Sequence, residues 1–233
     1  MNQVITQHGW GLNKNIWMRN KSNFIKKNWA WQDNDRGYFS SYMNKSKWIK
    51  DNSDNGIRLV LCHSLGTHLI GKDILDKATH IILINSFYNF IPANNERKVK
   101  RKLLGIMERK INPRDIKVMH KEFLNRSFYP NSVDINFDSL LDNPFSKINY
   151  PLLLSDFKKL YIEDINIKLI PANLEVLIIQ SKKDLILSEF SYNSFINIMN
   201  KNQITAPKII FLEDEGHLIK NLNFFKLLED WII

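Results

Sequence analysis

A single cysteine, Cys62, stands in this 233-residue chain, so no intramolecular disulfide can form. No group of cysteines and histidines has the spacing of a metal site. No apolar run approaches the roughly 18 residues that a membrane-spanning helix needs. The opening stretch Met1-Asn-Gln-Val-Ile-Thr-Gln-His8 has neither the basic n-region nor the apolar h-region of a secretory signal. Zinc-finger, KH and RRM patterns are also missing, so the net charge of +9 has no nucleic-acid motif behind it. These absences point to an intracellular, reducing, cytoplasmic location. No metal, cofactor, membrane or nucleic acid is expected as a partner. Disorder is excluded by what is present: 44% of the residues are hydrophobic and 12% aromatic.

A chain of this length reads as one domain, or one domain with a sizeable insertion. Short β-type runs punctuate it: Val4-Ile5-Thr6, Asn28 to Asp33, Ile57 to Leu61, His80 to Asn85, Leu174 to Gln180 and Lys208 to Leu212. The runs at 57, 80, 174 and 208 are read as continuously apolar, as strands buried on both faces of a parallel sheet are. Helical spacing falls between them. Leu65, Leu69, Ile70, Ile74 and Leu75 predict one helix from about Leu65 to Lys77, and Leu222 to Ile233 predicts another. The fold class is therefore α/β, a mainly parallel central sheet with helices on both faces.

Between Asn85 and Leu174 the alternation stops. Pro92 to Phe157 is helical in pattern, with breaks expected at Pro113, Pro130, Pro144 and Pro151. Residues 1–90 and 171–233 are read as the core, and 91–170 as a helical lid insertion. From Ile91 to Arg126 there are eleven Lys/Arg against four acids, most of the excess charge of the whole chain. A solvated helix face is the bland reading of such a run; an acidic partner or substrate is the sharper one.

The densest chemical signal is Cys62-His-Ser-Leu-Gly66, after the run at Ile57 and before a helical pattern. A strand-turn-helix this tight holds its apex residue in a strained conformation and needs small residues two places to either side. Ser64 is the apex, with Cys62 and Gly66 as the small residues. A serine hydroxyl needs a base, and the base needs a third group to fix its tautomer. Of six histidines, His217 is the best placed, in Glu213-Asp-Glu-Gly-His217 directly after a strand. His63 and His68 flank the turn, His80 begins a strand as a surface or edge residue, and His120 would have to arrive by lid closure. Asp184 follows the strand Leu174 to Gln180 and is the candidate acid, with Asp214 as competitor. Cys62 is an alternative nucleophile on paper. Asp35 and Arg36, after the second strand, can pair locally. Each residue alone has an ordinary turn or loop explanation. The order Ser64, Asp184, His217, each at a strand end, is the chain order of α/β-hydrolases. The N–H groups of Leu65 and of Trp10, in the turn His8-Gly-Trp-Gly11, would serve a developing oxyanion.

His8-Gly-Trp-Gly-Leu-Asn-Lys-Asn-Ile-Trp17, Ser64-Leu-Gly66, the Asp184 loop and Gly216-His217 together resemble one family of this superfamily. It is that of the BioH-type pimeloyl-[acyl-carrier protein] methyl ester carboxylesterases of biotin synthesis. The resemblance spans nearly the whole chain. It implies an α/β-hydrolase fold with Ser64, Asp184 and His217 catalytic, and substrate held by Trp10, Leu65, Phe123, Leu124 and His217. It implies an acyl-carrier protein held by basic lid residues, for which Arg97, Arg101 and Arg109 are the candidates. A monomer is expected. Cys62-His63 stands where the family has Gly-Trp, and Asp35-Arg36-Gly37 replaces its proline-glycine turn.

Overall fold

A strand buried on both faces must be apolar at odd and even positions alike. The inner strands obey this in the computed structural model, which describes residues 1–40, 43–50, 55–132, 147–162, 170–220 and 222–232. Six strands, β1 (Gln3–Gln7), β2 (Ala30–Asn34), β3 (Arg58–His63), β4 (His80–Ile84), β5 (Glu175–Ser181) and β6 (Lys208–Leu212), form one sheet in the order β2-β1-β3-β4-β5-β6. Every neighbouring pair is parallel. Val4, Leu59, Leu61, Ile82, Ile84, Leu177 and Ile179 face one layer, while Ile5, Val60, Cys62, Ile81, Leu83 and Ile178 face the other. The edge strands β2 and β6 are only partly buried.

The described helices are α1 (Met18–Lys26), α2 (Gly66–Leu69), α3 (Lys72–Leu75), α4 (Arg97–Arg109), α5 (Ile116–Phe128), α6 (Tyr150–Lys158), α7 (Glu189–Asn202) and α8 (Phe224–Ile232). Helices α1 and α8 cover the first layer through Phe24, Phe225 and Leu228. Helices α3 and α7 cover the second, together with α4, α5 and α6 from the insertion. This is the α/β fold that the alternating runs predict. None of the described helices is long and apolar enough to cross a membrane.

Several local expectations are corrected. The helix predicted from Leu65 to Lys77 is broken, because Ile70 and Gly71 are extended with ψ of 140° and 142°. A β-branched residue beside a glycine is a weak helix-forming pair, so the chain restarts at Lys72. The last helix begins at Phe224, and Ile233 lies outside the described residues, as does Pro144. Pro151 does not break a helix but sits in the first turn of α6, where a missing N–H costs nothing. Helix α7 is absent from the sequence-based reading, although Ser188 caps it through Ser191 N–H and Tyr192, Phe195, Ile196 and Met199 bury one face.

Asp35 and Arg36 do not pair with each other. Arg36 reaches the insertion, where its Nε and Nη2 lie 2.8 and 2.7 Å from Oδ2 of Asp156 on α6. Tyr38 donates its hydroxyl to the same oxygen at 2.8 Å, and Lys159 Nζ binds Oδ1 at 2.5 Å. Asp156 is fully buried. A buried carboxylate is tolerable only when cations and donors surround it in this way. The Asp35 carboxylate instead accepts the N–H of Gly37 at 2.9 Å. The segment between β4 and β5 is thus fastened to the sheet beyond the second strand.

Candidate active site

Strand β3 ends at His63 and α2 begins at Gly66, leaving Ser64 at the apex with φ of 54°. That left-handed conformation is costly for any residue with a Cβ. It is held in place by Ser64 N–H donating to the Ile84 carbonyl at 2.9 Å. The small residue after it is obligatory, since a Cβ on Gly66 would stand 2.5 Å from the Gln7 carbonyl oxygen. Cys62 points into the sheet packing, fully buried, and burial pushes its thiol pKa upward. A thiol that resists ionisation is no nucleophile, so that alternative is set aside.

His217 follows β6 and is 1% exposed. Its Nε2 lies 2.9 Å from Ser64 Oγ, and its Nδ1 lies 2.6 Å from Asp184 Oδ2. With Nδ1–H donated to the carboxylate, Nε2 is left as acceptor for the serine proton. Asp184 is fixed in turn, because its Oδ1 accepts the N–H groups of Ile186 at 2.7 Å and Leu187 at 2.9 Å. The competing acid, Asp214, is a surface residue held by Lys183 at 2.7 Å.

Two residues brace this line: His63, weighed from sequence only as a base, and Asn85, which sequence reasoning did not single out. The His217 carbonyl accepts from Nε2 of His63 at 2.8 Å and from Nδ2 of Asn85 at 2.8 Å. Asn85, with φ of 43°, also donates to the Gly216 carbonyl and accepts the N–H of Ser181. It therefore ties the β5 and β6 ends together. An asparagine just past an apolar strand was the available signal, since asparagine tolerates positive φ. Burial, the neighbouring His217 and His8 hold the His63 pKa down at about 3, against the carbonyl bond that raises it. His120 is already seated without any lid movement, its Nε2 donating to the Gly11 carbonyl at 2.6 Å. His68 bonds the Phe87 carbonyl at 2.7 Å. His80 starts the interior strand β4 rather than an edge, its ring against Trp231.

The N–H groups of Trp10 and Leu65 have no hydrogen-bond partner among the described residues, though both residues are buried. Both residues line a cavity of about 200 Å³ that reaches Ser64 and His217. The Trp10 indole donates to the Leu153 carbonyl of α6 at 2.8 Å, so α6 helps to hold this turn. Phe123 lines the cavity. Leu124 is packed in the core instead, as a helix turns about 100° per residue and cannot aim neighbours alike. Arg97, Arg101 and Arg109 are exposed on α4, outside the cavity wall.

No protein-family model and no curated protein matches the sequence. Solved structures do match over the full chain. An esterase (EaEST) from Exiguobacterium antarcticum superposes with a TM-score of 0.70 at 17% identity, over 100% of this chain and 91% of that one. A bromoperoxidase from Bacillus anthracis gives 0.72 at 13%, over 99% and 90%. An enol-lactonase from Burkholderia xenovorans LB400 gives 0.64 at 12%, over 99% and 91%. The chain has the α/β-hydrolase fold.

Proposed function

We propose that this protein is a serine carboxylesterase using Ser64, His217 and Asp184 as a catalytic triad. The observation that carries the reading is the hydrogen-bonded line from Ser64 Oγ through His217 to Asp184, beside two unpaired N–H groups. Ser64 Oγ attacks the ester carbonyl while His217 Nε2 takes its proton. The carbonyl oxygen becomes an anion facing the N–H groups of Trp10 and Leu65. Collapse breaks the bond to the alcohol, which leaves with the proton from His217. Water then attacks the acyl-serine by the same route, releasing the acid and restoring Ser64. The esterases among the structural neighbours support the class.

Within that class the reading is hydrolysis of the methyl ester of pimeloyl-[acyl-carrier protein], in the cytoplasm, by a monomer. It is supported by the resemblance of His8 to Trp17 and of the Ser64, Asp184 and His217 segments. The basic face of α4, with Arg97, Arg101 and Arg109, suits an acidic carrier protein. The second reading is a short-acyl esterase or thioesterase, favoured by the place of these arginines outside the cavity.

The class is tested by comparing wild type with Ser64→Ala on 4-nitrophenyl butyrate and by fluorophosphonate labelling. Full hydrolysis by the variant, or no labelling of Ser64 in wild type, sinks the esterase reading. The substrate is tested by neutralising Arg97, Arg101 and Arg109 together. Loss on the carrier-bound methyl ester, with hydrolysis of the free methyl ester kept, supports the carrier; equal effects favour the second reading.

A further inference from the structure

Helix α4 turns one face to the cavity: Lys100, Leu103, Leu104 and Met107 all line it, with Lys110 just past the helix end. From α5, Glu122 and Arg126 line it one turn apart. The carboxylate of Glu122 pairs with Lys110 at 3.8 Å. Among the described residues, that leaves Lys100 and Arg126 as the cations without a paired carboxylate on the cavity wall.

Lys100 is half-buried, its Nζ donating to the Ile186 carbonyl at 2.5 Å and standing 5.2 Å from the Phe90 ring centre. An ammonium has three donors, so further bonds remain to be made. The Arg126 guanidinium, on an exposed residue, has no hydrogen bond or ion pair with any described residue. Burial, and secondarily repulsion from Arg126, lower the Lys100 pKa; Asp184 and Glu96 act against this. The Asp184 charge partly offsets that of Lys100, but its Oδ2 is bound to His217 and its Oδ1 to two N–H groups, so it makes no direct ion pair with Lys100 or Arg126. Glu96 is exposed at the start of α4. Lys100, half-buried, and Arg126, exposed, thus bring two positive charges to one cavity, with donors free to meet an anion that enters it.

We propose that Lys100 and Arg126 form a subsite for an anionic group, carboxylate or phosphate, carried by the ester that Ser64 cleaves. This rests on the esterase reading and not on the carrier. The anion belongs either to the far end of the acyl chain or to the alcohol. Lys100 is anchored to the loop that holds Asp184, so the subsite and the reacting groups share one rigid frame.

The test compares kcat/KM for two matched pairs. The first is the 4-nitrophenyl half-ester of adipic acid against 4-nitrophenyl 6-methylheptanoate. The second is the hexanoyl ester of 3-hydroxypropyl phosphate against that of 1,3-propanediol. At low ionic strength the anionic member of one pair is expected to be favoured about tenfold, and which pair responds identifies the acyl or the alcohol side. Lys100→Met with Arg126→Gln should abolish that ratio, and added salt should shrink it. As a measurement independent of variant folding, free adipate should inhibit wild type more strongly than adipamide. A ratio near one in both pairs, with neutral esters cleaved, overturns the subsite alone. A ratio that survives the double variant does the same. Failure to cleave any of the four esters removes the esterase reading and the subsite with it.

Discussion

Nε2 of His63 donates to the backbone carbonyl of His217 at 2.8 Å, so the residue before the proposed nucleophile, Ser64, holds the residue proposed as its base. Their rings meet edge to face, with centroids 4.9 Å apart. Asn85 donates to the same carbonyl. His63 therefore positions rather than reacts, and it does so as a neutral ring. His63→Ala is expected to lower kcat by about 10- to 100-fold, because small displacements of a catalytic group are costly. KM should move far less. His63→Gln, which keeps an N–H donor at a similar reach, should restore most of the loss. A variant whose KM rises while kcat holds would place His63 in substrate binding instead.

Asp184 fixes the tautomer of His217 through the 2.6 Å contact to Nδ1. An amide at this position can keep the shape but presents an N–H to the ring or to the loop donors. Asp184→Asn should therefore cost about 10⁴ in kcat while the protein remains folded. The residual activity of Ser64→Ala should stay above the uncatalysed rate by about 10³–10⁴, from the N–H groups of Trp10 and Leu65. Steady-state kinetics on an activated ester, alongside circular dichroism, checks both.

Why were Ser64, Asp184 and His217 legible while their supports were not? The three stand at the ends of β3, β5 and β6, and each strand is marked by a continuous apolar run with little local ambiguity. A parallel sheet then carries their ends to one edge whatever the intervening loops do. The supports depend on contacts between distant segments. Arg36 has an acidic neighbour in sequence, yet its partner is Asp156, 120 positions away. Asn85 looks like an ordinary residue after a strand until the β5 and β6 ends arrive beside it. The break at Ile70 and Gly71 was within reach of propensity, but the apolar spacing across it is helical and outweighed it. Leu124 came from resemblance alone, and the helical turn sends it to the core.

Acid should destabilise the fold through its neutral histidines. Burial lowers the pKa of His63 to about 3 and of His68 to about 4, and lowers that of His120 as well. An unfolded histidine titrates near 6.5, so below that pH the unfolded state binds protons that the native state refuses. The contribution of each ring is complete above its unfolded pKa and is lost as pH falls toward its folded one. Each adds a slope of about 1.4 kcal/mol per pH unit within its window. Urea unfolding between pH 7 and pH 4 should show stability falling with pH, and His68→Gln should flatten the curve by roughly one proton. An unchanged slope would mean that His68 titrates alike in both states.

Asp156 offers the sharpest test of how α6 is held against the sheet. Its carboxylate is the shared acceptor for Arg36, Tyr38 and Lys159, and burial together with its charge raises the Tyr38 pKa well above the usual value. Removing the anion strands a guanidinium that is largely shielded from water. Breaking a buried pair in this way typically costs about 3–5 kcal/mol, far more than a surface pair. Asp156→Ala should therefore lower stability by about that amount in urea unfolding. Because Leu153, one turn earlier on α6, accepts the Trp10 indole, loosening α6 also loosens the turn that carries the Trp10 N–H. Activity should fall along with stability, at temperatures where the variant is still folded. Replacing Arg36 and Asp156 together, Arg36→Met with Asp156→Leu, removes both charges and should recover part of the stability. If the double variant is no more stable than Asp156→Ala, the stranded cation is not the source of the loss.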